Sequence, residues 1–185
     1  MTKKALNQNG KYVQEFIDVI EPDFIFSTKP INRLNIIETE KENFSQNKIE
    51  ELSTLKKKIN SIENCNLKNN SKNLVMGNGD INSPLMLVGE APGELEDISG
   101  CSFQGEIGSL LKKMMSAINI KIENVYSTYS INFRPPEDRK PNTQEIKRYS
   151  IFLKEHISII NPKIVILMGS TAMEAVTGLN NRISG

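Results

Sequence analysis

Apolar residues follow two kinds of pattern along this chain, with the change near Asn78. Before it, helical spacing prevails. Tyr12, Val13, Phe16, Ile17 and Ile20 recur at i, i+3 and i+4 within residues 5–20, a patchy amphipathic helix. Residues 27–45 are polar and mixed and read as a linker. Residues 46–63 predict a second helix, with Ile49, Leu52, Leu55, Ile59 and Ile62 on one face and charges opposite. Asn78, Gly79 and Asp80 form a turn signal. Beyond it, residues 85–88 are a short apolar run between Pro84 and Gly89, which suits a strand buried on both faces. Helical spacing returns over 106–118 through Ile107, Leu110, Leu111, Met114, Met115 and Ile118. Residues 124–131 read as a second strand. Residues 143–160 predict a helix with Thr143 as N-cap and Glu145 and Lys147 in its first turns, ended by Pro162. Residues 164–168 give a third buried strand, and 170–176 begin a helix that stops near Gly178.

From residue 84 onward the order is β-α-β-α-β-α, which implies an α/β fold with a parallel sheet, right-handed crossovers and helices on both faces. Such sheets bind ligands at the carboxyl ends of their strands. The division expected is a helical arm and linker over 1–64 and one domain over 65–185.

Composition narrows the function classes. The 185 residues fit one domain with an arm, and 38% hydrophobic residues suffice for a core. With 23 basic and 22 acidic residues the formal charge is +1, so any contact with DNA must come from a local patch rather than from bulk charge. No apolar run reaches the length of a membrane span, and MTKKALNQNG lacks the apolar core of a secretory signal. The expectation is a cytoplasmic monomer without a membrane partner. Cys65 and Cys101 are too few for a disulfide framework.

Unusual loops follow all three predicted strands. Gly89-Glu90-Ala91-Pro92-Gly93, followed by Glu96 and Asp97, is a sharp turn that lets backbone approach a flat ligand. Glu90 at the strand tip could orient water or stabilise a developing cation; a solvated turn carboxylate is the plain alternative. Phe103, between glycines, could stack on a base or fill the core. Asn132 to Pro141, NFRPPEDRKP, is stiffened by proline and carries Arg134, Arg139 and Lys140, which suit phosphate contacts, although Glu137, Asp138 and Glu145 offset their charge. Gly169, Ser170 and Thr171 open a helix whose N–H groups could hold a phosphate, or which Ser170 could simply cap.

Taken in order, GEAPG-x-x-ED, G-x-x-F-x-G, an amphipathic helix, RPP-x-x-RKP-x-x-x-E and PK-x-x-x-x-x-GSTA resemble the family-4 type of uracil-DNA glycosylases over roughly residues 60 to 185. The resemblance implies a three-layer α/β sandwich around a central parallel sheet. It implies hydrolysis of the N-glycosidic bond of uracil in DNA, on a nucleotide flipped out of the stack, to leave an abasic site. In that reading Glu90 is the catalytic group near the sugar. Gly89, Ala91, Pro92, Gly93, Phe103 and Tyr129 line the base pocket, and Arg134, Arg139, Lys140 and Ser170 meet the DNA backbone.

Three departures accompany the resemblance. The family type holds a [4Fe–4S] cluster through four cysteines, and only Cys65 matches; the other positions read Ile62, Phe133 and Tyr149, so no cofactor is expected. Tyr129 stands where the family has an Asn that reads the uracil edge, and Asn132 is placed differently by strand alternation. The family continues past the GSTA helix to a fourth strand and a His motif; here both are missing and the only His is His156, expected on the surface or in the core. The alternative is therefore a truncated, catalytically impaired nucleic-acid-binding relative. Cys101 reads as an ordinary loop thiol.

Overall fold

A computed structural model describes residues 33–179, with side chains from residue 45 onward. The helix expected within residues 5–20 lies outside the described residues. The first described element, α1 (Arg33–Asn60), begins inside the segment read as a linker. Leu34, Ile36 and Ile37 near its start are separated from the later apolar stripe by the polar run 38–43, which hid it from a reading based on apolar spacing. Its later turns carry Leu55 and Ile59, both fully buried, whereas Ile49 of the same predicted face is half exposed. A short helix, α2 (Asn66–Asn70), follows.

The described residues from Lys41 onward form one compact unit. Its sheet has three parallel strands in the order β2-β1-β3, with β1 (Leu85–Gly89) central, β2 (Tyr126–Tyr129) on one side and β3 (Ile164–Leu167) on the other. Gly89 pairs with Tyr129, and Val88 with Leu167, so the three carboxyl ends meet at one edge. Between strands run α3 (Glu94–Ser99), α4 (Gly105–Ala117) and α5 (Thr143–Ile160), and α6 (Ser170–Thr177) follows β3. The parallel α/β order read from the sequence is present, with α2 and α3 added.

Strand alternation sends neighbouring residues of β1 to opposite faces. Met86 and Val88 pack with Leu55, Ile59, Tyr149, Leu153, Ile160 and Ala172, the side covered by α1, α5 and α6. Leu87 packs with Leu111, Met115 and Val125, the side covered by α4. The result is three layers. Among the described residues no helix is long and apolar enough to cross a membrane.

Other expectations need correction. The N-cap of α5 is Asn142, whose side chain accepts the Glu145 N–H while Glu145 returns to the Asn142 N–H. Thr143 is the first helical residue instead. β3 is not buried on both faces: Ile164 and Ile166 are exposed. Their partners across the register, Leu85 and Leu87, lie under α4, which covers β1 and β2 and leaves β3 bare on that side. The stripe predicted over 106–118 is likewise only partly used, since Leu111 and Met115 are buried but Ile107, Leu110, Met114 and Ile118 are not.

Candidate active site

At the carboxyl ends of the strands a cleft of about 620 Å³ opens between the Gly89–Gly93 turn, Phe103, Tyr129 and the Pro135–Pro141 loop. The tip of β1 supplies its floor. Ser130 N–H donates to the Gly89 carbonyl at 2.8 Å and the Ser130 hydroxyl donates to the Glu90 carbonyl, so β2 fixes the turn from below. The Glu90 side chain then reaches α6, where its Oε1 accepts the Thr171 N–H at 2.9 Å. Favourable placement of an anion at a helix N-terminus explains the contact. One of the N–H groups read as a phosphate donor, that of Thr171, is thus taken by the protein's own carboxylate. Gly169 has φ +101°, and a Cβ there would stand 2.5 Å from the Glu90 carboxyl carbon.

Phe103 lines the cleft, partly exposed, and also packs against the core under α4. Its backbone is left-handed, φ +54°, and its ring lies 4.9 Å, centre to centre, from that of Tyr129. Both rings rest on Gly89, where a Cβ would come within 2.7 Å of Tyr129 and 3.0 Å of Phe103. The Tyr129 hydroxyl accepts the Phe103 N–H at 3.0 Å and donates to Glu96 Oε1 at 3.3 Å. Burial pushes this phenol well above its ordinary range. Glu96, itself buried, also accepts Gln104 N–H at 2.9 Å and Gly93 N–H at 3.1 Å. Glu96 as the joint between the GEAPG turn and the Phe103 loop was not foreseen. Its position three residues after Gly93 is capping-box spacing, and that signal could have found it.

The basic loop is less free than its sequence suggests. Arg134 forms a two-pronged pair with Asp138, at 2.8 and 2.9 Å, and Arg139 a similar one with Glu145, at 2.9 and 2.7 Å. The Arg139 guanidinium holds the Glu145 carboxyl below its usual range. Lys140 Nζ donates to Ser170 Oγ at 2.6 Å. Arg139 and Lys140 border the cleft, while Asn132 is buried and donates to the Val75 carbonyl.

The four positions that the resemblance assigns to cluster ligands do come together, as packing. Cys65 Sγ lies 3.2 Å from the Tyr149 hydroxyl, Phe133 meets Tyr149 edge-on at 6.3 Å, and Ile62 packs on the same core. Among the described residues no group of three or more His, Cys, Asp or Glu side chains could hold a metal ion. His156 is buried, its Nε2 2.8 Å from the Tyr126 hydroxyl, and burial lowers its pKa to about 4. Cys101 is an exposed loop thiol, as read from the sequence.

A parallel three-layer sandwich with a cleft at the carboxyl ends of its strands is an α/β fold of the class that binds ligands there. The profile of the uracil DNA glycosylase superfamily matches residues 76–184, and the chain belongs to that superfamily. It is similar to the Type-4 uracil-DNA glycosylases of Pyrobaculum aerophilum (33% identical, covering 71% of this chain and 67% of the relative) and Archaeoglobus fulgidus (32%, 71% and 66%). The same is true of the Type-4 enzyme of Thermotoga maritima (38%, 59% and 57%). The chain thus spans between 57% and 67% of the length of these relatives.

Proposed function

We propose that the chain is a DNA-repair glycosylase that releases uracil from DNA and leaves an abasic site. The observation that carries the reading is the Glu90 carboxylate, fixed by the Thr171 N–H at the floor of a cleft that Phe103 overhangs. In the reaction the bond between sugar C1′ and the base nitrogen breaks and its electron pair leaves with the base. A water oxygen bonds to C1′, and the water's proton ends on the base. The sugar is cation-like at the transition state, and a carboxylate already held in place stabilises that charge without reorganising. Phe103 offers a face for the extruded base, and Lys140 and Ser170 stand at the rim where a phosphate would pass. The Arg134 and Arg139 ion pairs would have to open, or be bridged, to reach the backbone.

The same reading has the chain work as a cytosolic monomer on uracil-containing DNA and without an iron–sulfur cluster. One thiolate does not satisfy a cluster that needs four protein ligands. Ile62, Phe133 and Tyr149 stand at the other three matching positions, and none of them carries a thiolate.

Uracil release by purified residues 1–185 from a labelled single-uracil oligonucleotide tests the reading. Release is expected, reduced at least ~100-fold by Glu90→Gln, the scale seen when one transition-state contact is lost. Iron and acid-labile sulfide are expected to be absent from the active preparation. DNA binding that depends on salt, with no release from a folded chain, would replace this reading with the impaired binding relative.

A further inference from the structure

Resting on that reading, we propose that Tyr129 and Glu96 are positioning residues that hold Phe103 as the stacking platform of the cleft. Phe103 sits in a left-handed conformation, φ +54°, which a bulky side chain adopts only when its surroundings impose it. The imposing contacts are few and identifiable. Its N–H donates to the Tyr129 hydroxyl, the next N–H, of Gln104, donates to Glu96, and the Glu96 carboxylate also accepts a hydrogen bond from the Tyr129 hydroxyl. Through Gly93 N–H the same carboxylate ties the platform to the turn that carries Glu90.

Phe103 is partly exposed, while Tyr129 and Glu96 are each only 6% exposed, so the lock is buried and the platform is not. The Tyr129 hydroxyl is spent on the protein, on the Phe103 N–H and on Glu96. Its ring, pressed on Gly89, supplies the flat surface against which the Phe103 ring leans. Tyr129 therefore acts on a base through Phe103 rather than by reading its edge.

The test compares the full chain with Tyr129→Phe, Glu96→Gln and Tyr126→Phe. The last removes another buried tyrosine hydroxyl, bonded to His156 and remote from the cleft. Two quantities are measured. One is anisotropy binding to an oligonucleotide with a single 2′-fluoro-2′-deoxyuridine, which resists cleavage, against the same strand with thymidine. The other is residue-resolved amide exchange at Phe103 and Gln104.

Tyr129→Phe is expected to weaken the uracil-dependent part of binding about fivefold, the loss of one modest hydrogen bond, and to speed Phe103 exchange about tenfold. Glu96→Gln is expected to act in the same direction, and Tyr126→Phe on neither quantity. Unchanged exchange in Tyr129→Phe, faster exchange with unchanged binding, or an equal effect of Tyr126→Phe would overturn the proposal. Failure of the wild-type chain to prefer the uracil strand would sink the functional reading instead, and the exchange comparison would then decide the lock by itself.

Discussion

At the scale of single residues, the Glu90 carboxylate of the cleft is held by a backbone N–H. Glu90 is oriented by one amide of α6, and that approach requires Gly169 to have no side chain. The residue has φ +101°, and an added Cβ would lie 2.5 Å from Glu90. Gly169→Ala therefore combines backbone strain with displacement of the carboxylate. It is expected to cost about 1–3 kcal/mol in urea unfolding and to reduce uracil release at least tenfold. Gly178 supplies the comparison: φ is +74° but nothing lies within 4 Å of an added Cβ. Gly178→Ala should show the strain alone, with release unchanged once folding is corrected for. Equal activity losses in the two variants would refute the role given to Gly169. The sequence showed a Gly-Ser-Thr helix start and a Glu at a strand tip as separate features. Their contact is 81 positions apart in the chain, and nothing local encodes it.

At the scale of elements, periodicity found the sheet strands and the long helices, because each must present a continuous apolar face to be stable there. It failed where polarity and burial part company. The polar run 38–43 lies within α1, Asn142 rather than Thr143 caps α5, and the apolar β3 is an edge strand of the described sheet. Nor could it rank positions along one face. Ile49 and Leu55 occupy the same predicted stripe, but Ile49 is 50% exposed and Leu55 is 0% exposed in the core that also holds Val88 and Leu153. Leu55→Ala is expected to cost about 2–5 kcal/mol and Ile49→Ala less than about 0.5 kcal/mol in urea unfolding. This difference bears on where the domain starts. A boundary at residue 64 would remove Leu55 and Ile59 from the core, so the packing favours a boundary before residue 45.

At the scale of the whole molecule, the candidate site was more legible than the forces that keep it folded. Glycine spacing, Glu90 and Phe103 could be read because turns and platforms need particular residue types at particular positions. The burial of His156 against Tyr126 could not, since it depends on how distant segments meet. His156 is 2% exposed between α5 and β2, 2.8 Å from the Tyr126 hydroxyl, and its pKa falls from 6.5 to about 4 because burial disfavours the imidazolium. The folded chain therefore binds this proton less readily than the unfolded chain. The contribution to stability is complete above the unfolded value near 6.5 and is lost as the pH falls toward 4, below which this group adds no further loss. A depression of that size corresponds to about 3 kcal/mol at most. Urea unfolding between pH 7 and 4 is thus expected to show stability falling with pH. Most of the slope between 6.5 and 5, above the range where most carboxylates titrate, belongs to His156. His156→Gln, which keeps a polar partner for Tyr126 but cannot take up the proton, should lower stability at pH 7 and flatten that part of the curve. An unchanged slope in the variant would mean that the loss arises from other groups and that His156 is not the acid-sensitive point of the fold.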